Sequence, residues 1–332
     1  MNSSPLVSVL VPVYNAAPFL PQCLDSLLSQ TLHDVQVVCV DDASTDSSLS
    51  VLRDYSQRDA RVEVIHLDKN VGLAKARNAA LAQARGQYVC MVDADDWLSA
   101  DALQQAVDVF AAHPATGCVL FRLLMVYGEG QQREEKDYPC RTFTVLTGDE
   151  ACLLSLDWQI HGLYMVRADI QRRYPYDDTC RVYSDENTTR VHFAASAEVR
   201  CCSGIYYYRQ HGQSVTHRVS VSRFDRLRAF ESLLCQLAPL RVADRAVPFV
   251  TNQLWLSVVD LFYFLYQHGR ELSPEERRWG LGELHRVWLS VDVSLFDKTK
   301  TSKFGYRHCP SWWLFRLQEW LYFTLRKLIR RE

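Results

Sequence analysis

Short apolar runs and stretches of helical period alternate through the first hundred residues. Runs at 7–13 (VSVLVPV), 35–40, 62–67 and 88–92 are almost continuously apolar, the pattern of strands buried on both faces. Between them, 17–30, 47–55 and 73–84 space their apolar residues three and four apart, which predicts helices. Strand and helix in strict alternation predict a mostly parallel sheet with helices on both sides. Such sheets bind ligands at the carboxyl ends of their strands, and every polar cluster discussed below falls at such an end.

Residues 117–216 are mixed, with strands expected near 118–126 and 204–209. From 219 onward the pattern is helical, at 224–237, 248–266 and 274–289. A lysine-containing linker at 297–302 leads to a last helix at 311–331. A boundary near 218 gives a catalytic domain of 1–217 and a helical region of 218–332. The most apolar later stretch, 249–266, contains Thr251, Asn252, Gln253, Ser257 and Asp260, so a packed helix is expected rather than a membrane span. The run at 7–13 is too short for a signal-peptide core, and no targeting segment is expected.

Hydrophobic residues make up 48 % of the chain and charged residues 23 %, as in ordinary globular proteins. The formal net charge of −2 gives no general reason to expect nucleic acid as a partner. The 11 cysteines form no CxxC pair, which suits a reducing cytoplasm.

No glycine precedes Gly72, so neither GxGxxG nor GxxxxGK[ST] can follow the first strand. Both motifs use glycine to let the backbone approach a phosphate, so a nucleotide must be held in another way. The first strand ends in Val11-Pro12-Val13-Tyr14-Asn15 and the second in Val40-Asp41-Asp42-Ala43. The fourth ends in Met91-Val92-Asp93-Ala94-Asp95-Asp96-Trp97. Asp-x-Asp at the end of a buried strand suits a hard divalent cation that keeps open positions for phosphate oxygens. Acidic triplets also occur in turns and helix caps, and Asp96 has the weaker claim of the three. Asp41 and Asp42 also fit plain turn residues, or the acidic pair of a response-regulator fold. Lys69-Asn70-Val71-Gly72 enters a helix carrying Arg77, which suits either a phosphate or a structural carboxylate.

Taken in order, VSVLVPVYN, VVCVDDASTD, NVGLAKARNAAL and YVCMVDADDWL resemble glycosyltransferase family 2 with its GT-A fold, over residues 7–98. The resemblance implies that Pro12, Val13, Tyr14 and Asp41 hold a nucleotide base, with Arg77 nearby. Asn15, Asp42, Lys69, Gly72 and Ala94 belong to the same nucleotide-sugar site. Asp93 and Asp95 would hold the ribose and a metal–diphosphate group, Asp95 being the favoured direct ligand of Mn2+ or Mg2+. The second half of such a site has an acidic pair ahead of a helix and then a Tyr-rich strand. Asp185-Glu186 and Tyr206-Tyr207-Tyr208-Arg209 match it, in the order Asp-Glu rather than the commoner Glu-Asp. Asp185 is favoured as the base, with Glu186 as runner-up or orienting partner. Arg209, His211 and Ser214 would lie on a loop closing over the diphosphate, although His211 also reads as an ordinary loop histidine.

The implied activity is transfer of a single sugar from a nucleotide-diphosphate donor, a UDP-sugar by resemblance, to an acceptor hydroxyl with inversion. The setting would be polysaccharide or glycolipid assembly, with a glycan or lipid-linked acceptor. Gln-x-x-Arg-Trp, expected of a processive synthase, is replaced by Glu275-Glu276-Arg277-Arg278-Trp279. Rival readings are an inactive nucleotide-binding scaffold of the same fold and a sugar-nucleotide nucleotidyltransferase. The second should carry a glycine-rich loop after strand one, and this chain has none.

In the last helix Leu314, Leu317, Leu321, Leu325 and Leu328 fall on one face, and Arg316, Arg326, Lys327 and Arg330 on the other. With Trp312, Trp313, Trp320 and Phe323 alongside, the pattern suits peripheral docking on the inner face of the cytoplasmic membrane. It equally suits a helix packed on the protein with a basic outer face.

Overall fold

The computed structural model describes residues 4–128, 133–180, 183–210 and 220–329. The four early runs form β1 (Val7–Val13), β2 (Val35–Asp41), β3 (Val62–His66) and β4 (Tyr88–Met91). Helices α1 (Leu20–Leu28), α2 (Ser48–Arg58) and α3 (Leu73–Gln83) connect them. Every residue of β1 and β2 is buried, as near-continuous apolar runs require of strands covered on both faces. The chain then forms β5 (Trp97–Leu98), α4 (Ala102–Ala112), β6 (Thr116–Tyr127), β7 (Glu134–Asp137) and β8 (Val145–Thr147). It continues through α5 (Gly148–Leu156), β9 (Tyr164–Arg167), α6 (Ala168–Arg173), α7 (Ser184–Ala195) and β10 (Glu198–Gln210).

These strands make one sheet in the order β3-β2-β1-β4-β9-β6-β10-β5, with β7 on β6 and β8 on β10. β1, β2, β3, β4, β6 and β10 run in one direction, and β5, β7, β8 and β9 oppose them. The result is the α/β, mostly parallel sheet that the alternation predicts. β1 lies between β2 and β4, so the winding reverses there. That reversal opens a crevice at the carboxyl ends of β1 and β4. Beneath it, Val9, Val11, Leu24, Leu27 and Phe121 share one core. Each such side chain contributes about 1.5–3 kcal/mol on burial, which gives the site a rigid floor.

The chain divides into two units, residues 1–178 with 184–214, and residues 179–183 with 215–332. The second unit is helical: α8 (Asp225–Leu237), α9 (Ala243–His268), α10 (Pro274–Ser290), α11 (Lys298–Thr301) and α12 (Trp312–Ile329). α9 begins at Ala243, ahead of the expected start at Pro248, so Pro248 lies inside the helix. Its carbonyl accepts from Asn252 Nδ2 at 2.7 Å. Trp255 anchors this unit: it is fully buried, packs its ring against Phe315 and donates from Nε1 to the Tyr306 carbonyl at 2.7 Å.

The last helix departs from the sequence expectation. The side opposite its leucines is not a basic face but the buried row Phe315, Glu319 and Phe323. Phe315 and Phe323 belong to this unit's core, which also contains Val258 and Phe262 of α9. The leucines point outward. Among the described residues no helix is long and apolar enough to cross a membrane.

Candidate active site

The loops after β1 and β2 are tied together by side chains. Asn15 and Ala43 both take left-handed backbone conformations, with φ of 51° and 55°. Asn15 Oδ1 accepts from the backbone N–H groups of Thr45 (2.7 Å) and Asp46 (3.3 Å), and its own N–H donates to Ser44 Oγ at 3.0 Å. The side chain of Asn15 therefore shapes the rim. Pro12 and Val13 are buried in β1 beside β2, while Tyr14 is half exposed above them.

Asp41 and Asp42 divide their work. Both oxygens of the Asp42 carboxylate accept backbone N–H groups, from Val71 at 2.7 Å and Gly72 at 2.9 Å. This holds the loop that leads into α3. Gly72 takes φ of 90° there, a conformation that suits a residue without Cβ. Lys69 on the same loop is exposed. Asp41 is fully buried, with Oδ2 at 2.8 Å from His66 Nδ1, while Oδ1 has no partner. An orphaned, buried carboxylate oxygen costs about 1–3 kcal/mol or more, and it invites an N–H donor.

Arg77, reached from α3, is fully buried. Its Nη2 donates to Asp93 Oδ1 at 3.2 Å, and Nη1 lies 3.6 Å from Asp185 Oδ2. The guanidinium also lies over the Tyr176 ring, 5.5 Å from its centroid. Burial alone would weaken the charge on Arg77; Asp93 and Asp185 more than offset that and keep it protonated. The carboxyl of Asp93 is pushed upward by burial and by the nearby charges of Asp95 and Asp185, with Arg77 opposing. Asp95 and Asp185 are thus each close enough to raise the energy of the Asp93 carboxylate, and a cation would relieve that repulsion.

Asp96 and Arg209 brace this cluster. Both oxygens of the buried Asp96 are used, one by Tyr206 Oη at 2.9 Å and one by the Arg209 N–H at 2.8 Å. Arg209 Nε donates to the Asp95 carbonyl at 2.8 Å, while its guanidinium lies between the Phe19 and Trp97 rings. Ala94, between the two carboxylates, is buried. Among the described residues no three or more His, Cys, Asp or Glu side chains form a metal cage by themselves. Asp95 and Asp93 offer hard carboxylate oxygens, the donor type that suits Mg2+ or Mn2+ when phosphate and water complete the shell.

Asp185 and Glu186 occupy the first turn of α7. The Asp185 side chain is 49 % exposed, and its Oδ1 accepts from the Glu186 N–H at 3.0 Å. Glu186 Oε2 accepts from Arg190 Nη2 at 3.3 Å, and the Arg190 side chain is only 5 % exposed. Asp93, Asp185, Glu186 and Arg190 line a cleft of about 240 Å3, with Tyr138, Trp158 and Tyr208 supplying an aromatic wall. His161 also lines it; burial depresses its pKa to about 4, and its Nδ1 accepts from the Leu163 N–H at 3.2 Å. It is therefore a neutral imidazole near neutral pH.

Asp93, Asp185 and Glu186 are thus brought to one cleft, and buried Arg77 contacts the first two. Asp95 belongs to the same carboxylate cluster, and Asp41 lies at the end of β2. His211 and Ser214 lie outside the described residues. Tyr138, Trp158, His161 and His66 were not singled out in the sequence. Trp158 carried no readable signal, because its place depends on a left-handed turn with φ of 63°.

Residues 8–170 match the family model described as Glycosyl transferase family 2. The uncharacterised glycosyltransferase EpsJ of Bacillus subtilis (strain 168) is 32 % identical over 222 residues, 64 % of this chain and 63 % of that protein. The aligned stretch therefore takes in less than two thirds of EpsJ. The hyaluronan synthase of Pasteurella multocida is 37 % identical over 119 residues, 36 % of this chain and 12 % of that protein. Among solved structures, S. aureus TarS 1–349 in complex with UDP-GlcNAc superposes with a TM-score of 0.66 at 20 % identity. It covers 87 % of this chain and 82 % of that one.

Proposed function

The chain belongs to glycosyl transferase family 2 through residues 8–170, and from that premise we propose that it transfers one sugar from a UDP-sugar to an acceptor hydroxyl with inversion. One observation carries the proposal. Buried Arg77 reaches Asp93 of the Asp-x-Asp segment and Asp185 of α7, so the carboxylates proposed for donor and acceptor face one cleft.

In this reading the orphaned Asp41 Oδ1 accepts an N–H of the uracil ring, and Pro12, Val13 and Tyr14 form the edge on which the base rests. Asp95, with Asp93, would hold Mn2+ or Mg2+, which when bound neutralises charge on the diphosphate. Arg209 keeps Asp95 in place through its carbonyl. Asp185 takes the proton from the acceptor hydroxyl as that oxygen bonds to the anomeric carbon and the bond to the diphosphate breaks on the opposite face. Glu186, paired with Arg190, orients the start of α7. The aromatic wall of Tyr138, Trp158 and Tyr208 offers flat apolar faces against which sugar rings stack.

The acceptor proposed is a growing glycan or a lipid-linked glycan, in cell-surface polysaccharide assembly. The hyaluronan synthase relative supports that setting. The proposal places the reaction in the cytoplasm. The decisive test is mass spectrometry of products formed from a panel of UDP- and GDP-sugars with oligosaccharide acceptors. A transferred sugar with inverted anomeric configuration is expected with a UDP donor. Retention of configuration, or a strict GDP requirement, would overturn the reading.

A further inference from the structure

We propose that the outward face of α12 is a docking surface for an anionic lipid bilayer, with the helix lying flat in the interface. The helix has two apolar sides. One holds Phe315 and Phe323 in the core of its own unit. The other presents Trp313, Leu314, Leu317, Trp320, Leu321, Leu325 and Leu328, each 38 to 67 % exposed. At about 100° per residue these positions span roughly 140° of the helix circumference. A continuous exposed stripe of this kind is uncommon on a soluble monomer and marks a contact surface.

Charge identifies the occupant. Arg316 and Lys327 follow one edge of the stripe by the same helical spacing, and both are exposed. Arg326 turns the other way, over the Tyr263 ring of α9. Between Lys298 and Ile329 the sequence has seven Lys or Arg and one carboxylate, Glu319. That carboxylate is fully buried and lies on the opposite side of the helix from the stripe. An exposed apolar stripe edged by cations and without an exposed acid complements anionic headgroups over acyl chains. Trp313 and Trp320 suit the headgroup level, where indole rings concentrate. Spanning is excluded by the same residues, because Arg316, Glu319, Arg326 and Lys327 lie within 18 residues of helix.

The test is co-sedimentation of the full chain with vesicles of phosphatidylglycerol and phosphatidylcholine, or of phosphatidylcholine alone, over a salt series. Binding to the anionic vesicles that weakens with salt is expected. Leu317→Glu with Leu321→Glu should reduce it by roughly ten- to hundred-fold per leucine. Arg316→Gln and Lys327→Gln should each reduce it roughly five-fold and flatten the salt dependence. All four positions are exposed, so thermal melts should match the parent chain. Failure of the parent chain to bind anionic vesicles would overturn the proposal, as would binding that survives the leucine double variant. A concentration-dependent dimer that the leucine variant dissociates, without vesicle binding, would assign the stripe to a second copy of the chain. Transfer to a soluble acceptor should be unchanged in every variant, which keeps this test separate from the proposed activity.

Discussion

Asp185 and Glu186 are adjacent in sequence, line the same cleft and differ in their surroundings, so neutral replacements should fail in different ways. Asp185→Asn keeps an oxygen that can accept the Glu186 N–H, 3.0 Å away in the parent. Its side chain is 49 % exposed, so losing the 3.6 Å ion pair to Arg77 should cost no more than about 1 kcal/mol of stability. Arg77 keeps Asp93 as a partner. The expected loss is in chemistry: roughly two to four orders of magnitude in kcat for a missing general base. That is about 3–5.5 kcal/mol of barrier. Glu186→Gln has the opposite profile. It leaves Arg190, only 5 % exposed, without its 3.3 Å carboxylate, and stranding a buried charge costs about 3 kcal/mol. Its melting temperature should fall by several degrees, while kcat measured well below the transition stays within about ten-fold of the parent. The assays are UDP release at saturating donor and acceptor, and thermal melts of the same preparations. An active Asp185→Asn beside a dead but stable Glu186→Gln would move the base to Glu186. Two active variants would remove the base from α7 altogether.

Asp95→Ala should abolish the difference between UDP binding in Mn2+ and in EDTA measured by calorimetry, whereas Asp96→Asn should chiefly lower the melting temperature. Equal binding in Mn2+ and EDTA by the parent would end the metal proposal. Asp41→Asn should weaken UDP binding by roughly ten-fold, the scale of one charged hydrogen bond, and unchanged affinity would remove the base-binding role. Glu319, whose pKa burial raises from 4.5 to about 8, stays protonated when folded over a range where the unfolded chain ionises. Its contribution is neutral below pH 4.5 and becomes increasingly unfavourable as pH rises toward 8. Glu319→Gln should therefore melt like the parent at acid pH and be more stable at pH 9, by up to about 5 kcal/mol. No gain in melts at pH 9 would refute the buried, protonated state.

What the sequence made legible follows from how each element is built. β1 and β2 are buried along their whole length, so their apolar runs are continuous and their ends mark the site directly. β7, with sequence EEKD, is exposed at all four positions, and β5 has two residues; neither leaves a period to read. β9 is a four-residue antiparallel strand between β4 and β6, a pairing that no local pattern encodes. α4 did carry a signal, since Leu103, Ala106 and Phe110 repeat at helical spacing and are buried. Asp93 and Asp95 were readable because they follow β4 directly. The role of Arg77 was not, because its second partner, Asp185, lies on a distant helix. In α12 the leucines are the stronger apolar repeat, yet they face outward and Phe315 and Phe323 fill the core. Larger aromatic rings bury more apolar surface per residue.

Several features at the carboxyl end of the sheet make little sense as contributions to folding. Arg77 is buried with an Nε that has no partner, between two carboxylates that are themselves partly exposed. Replacing a buried ion pair with apolar residues of similar volume is often neutral or stabilising, so folding alone gives little reason for this one. Asp41 keeps an oxygen without a donor in a fully buried position. Asn15 and Ala43 hold left-handed backbones, each costing on the order of 1–3 kcal/mol. Asp95 and Asp185 raise the energy of the Asp93 carboxylate by proximity. All of these costs fall at the carboxyl end of the sheet, whereas the floor below is ordinary Val, Leu and Phe packing. Two of them are also relieved by a ligand: an N–H for Asp41, and positive charge for the Asp93–Asp95 pair. A nucleoside diphosphate accompanied by a divalent cation supplies both at once, which ties the proposed donor to the energetics of these residues rather than to the shape around them.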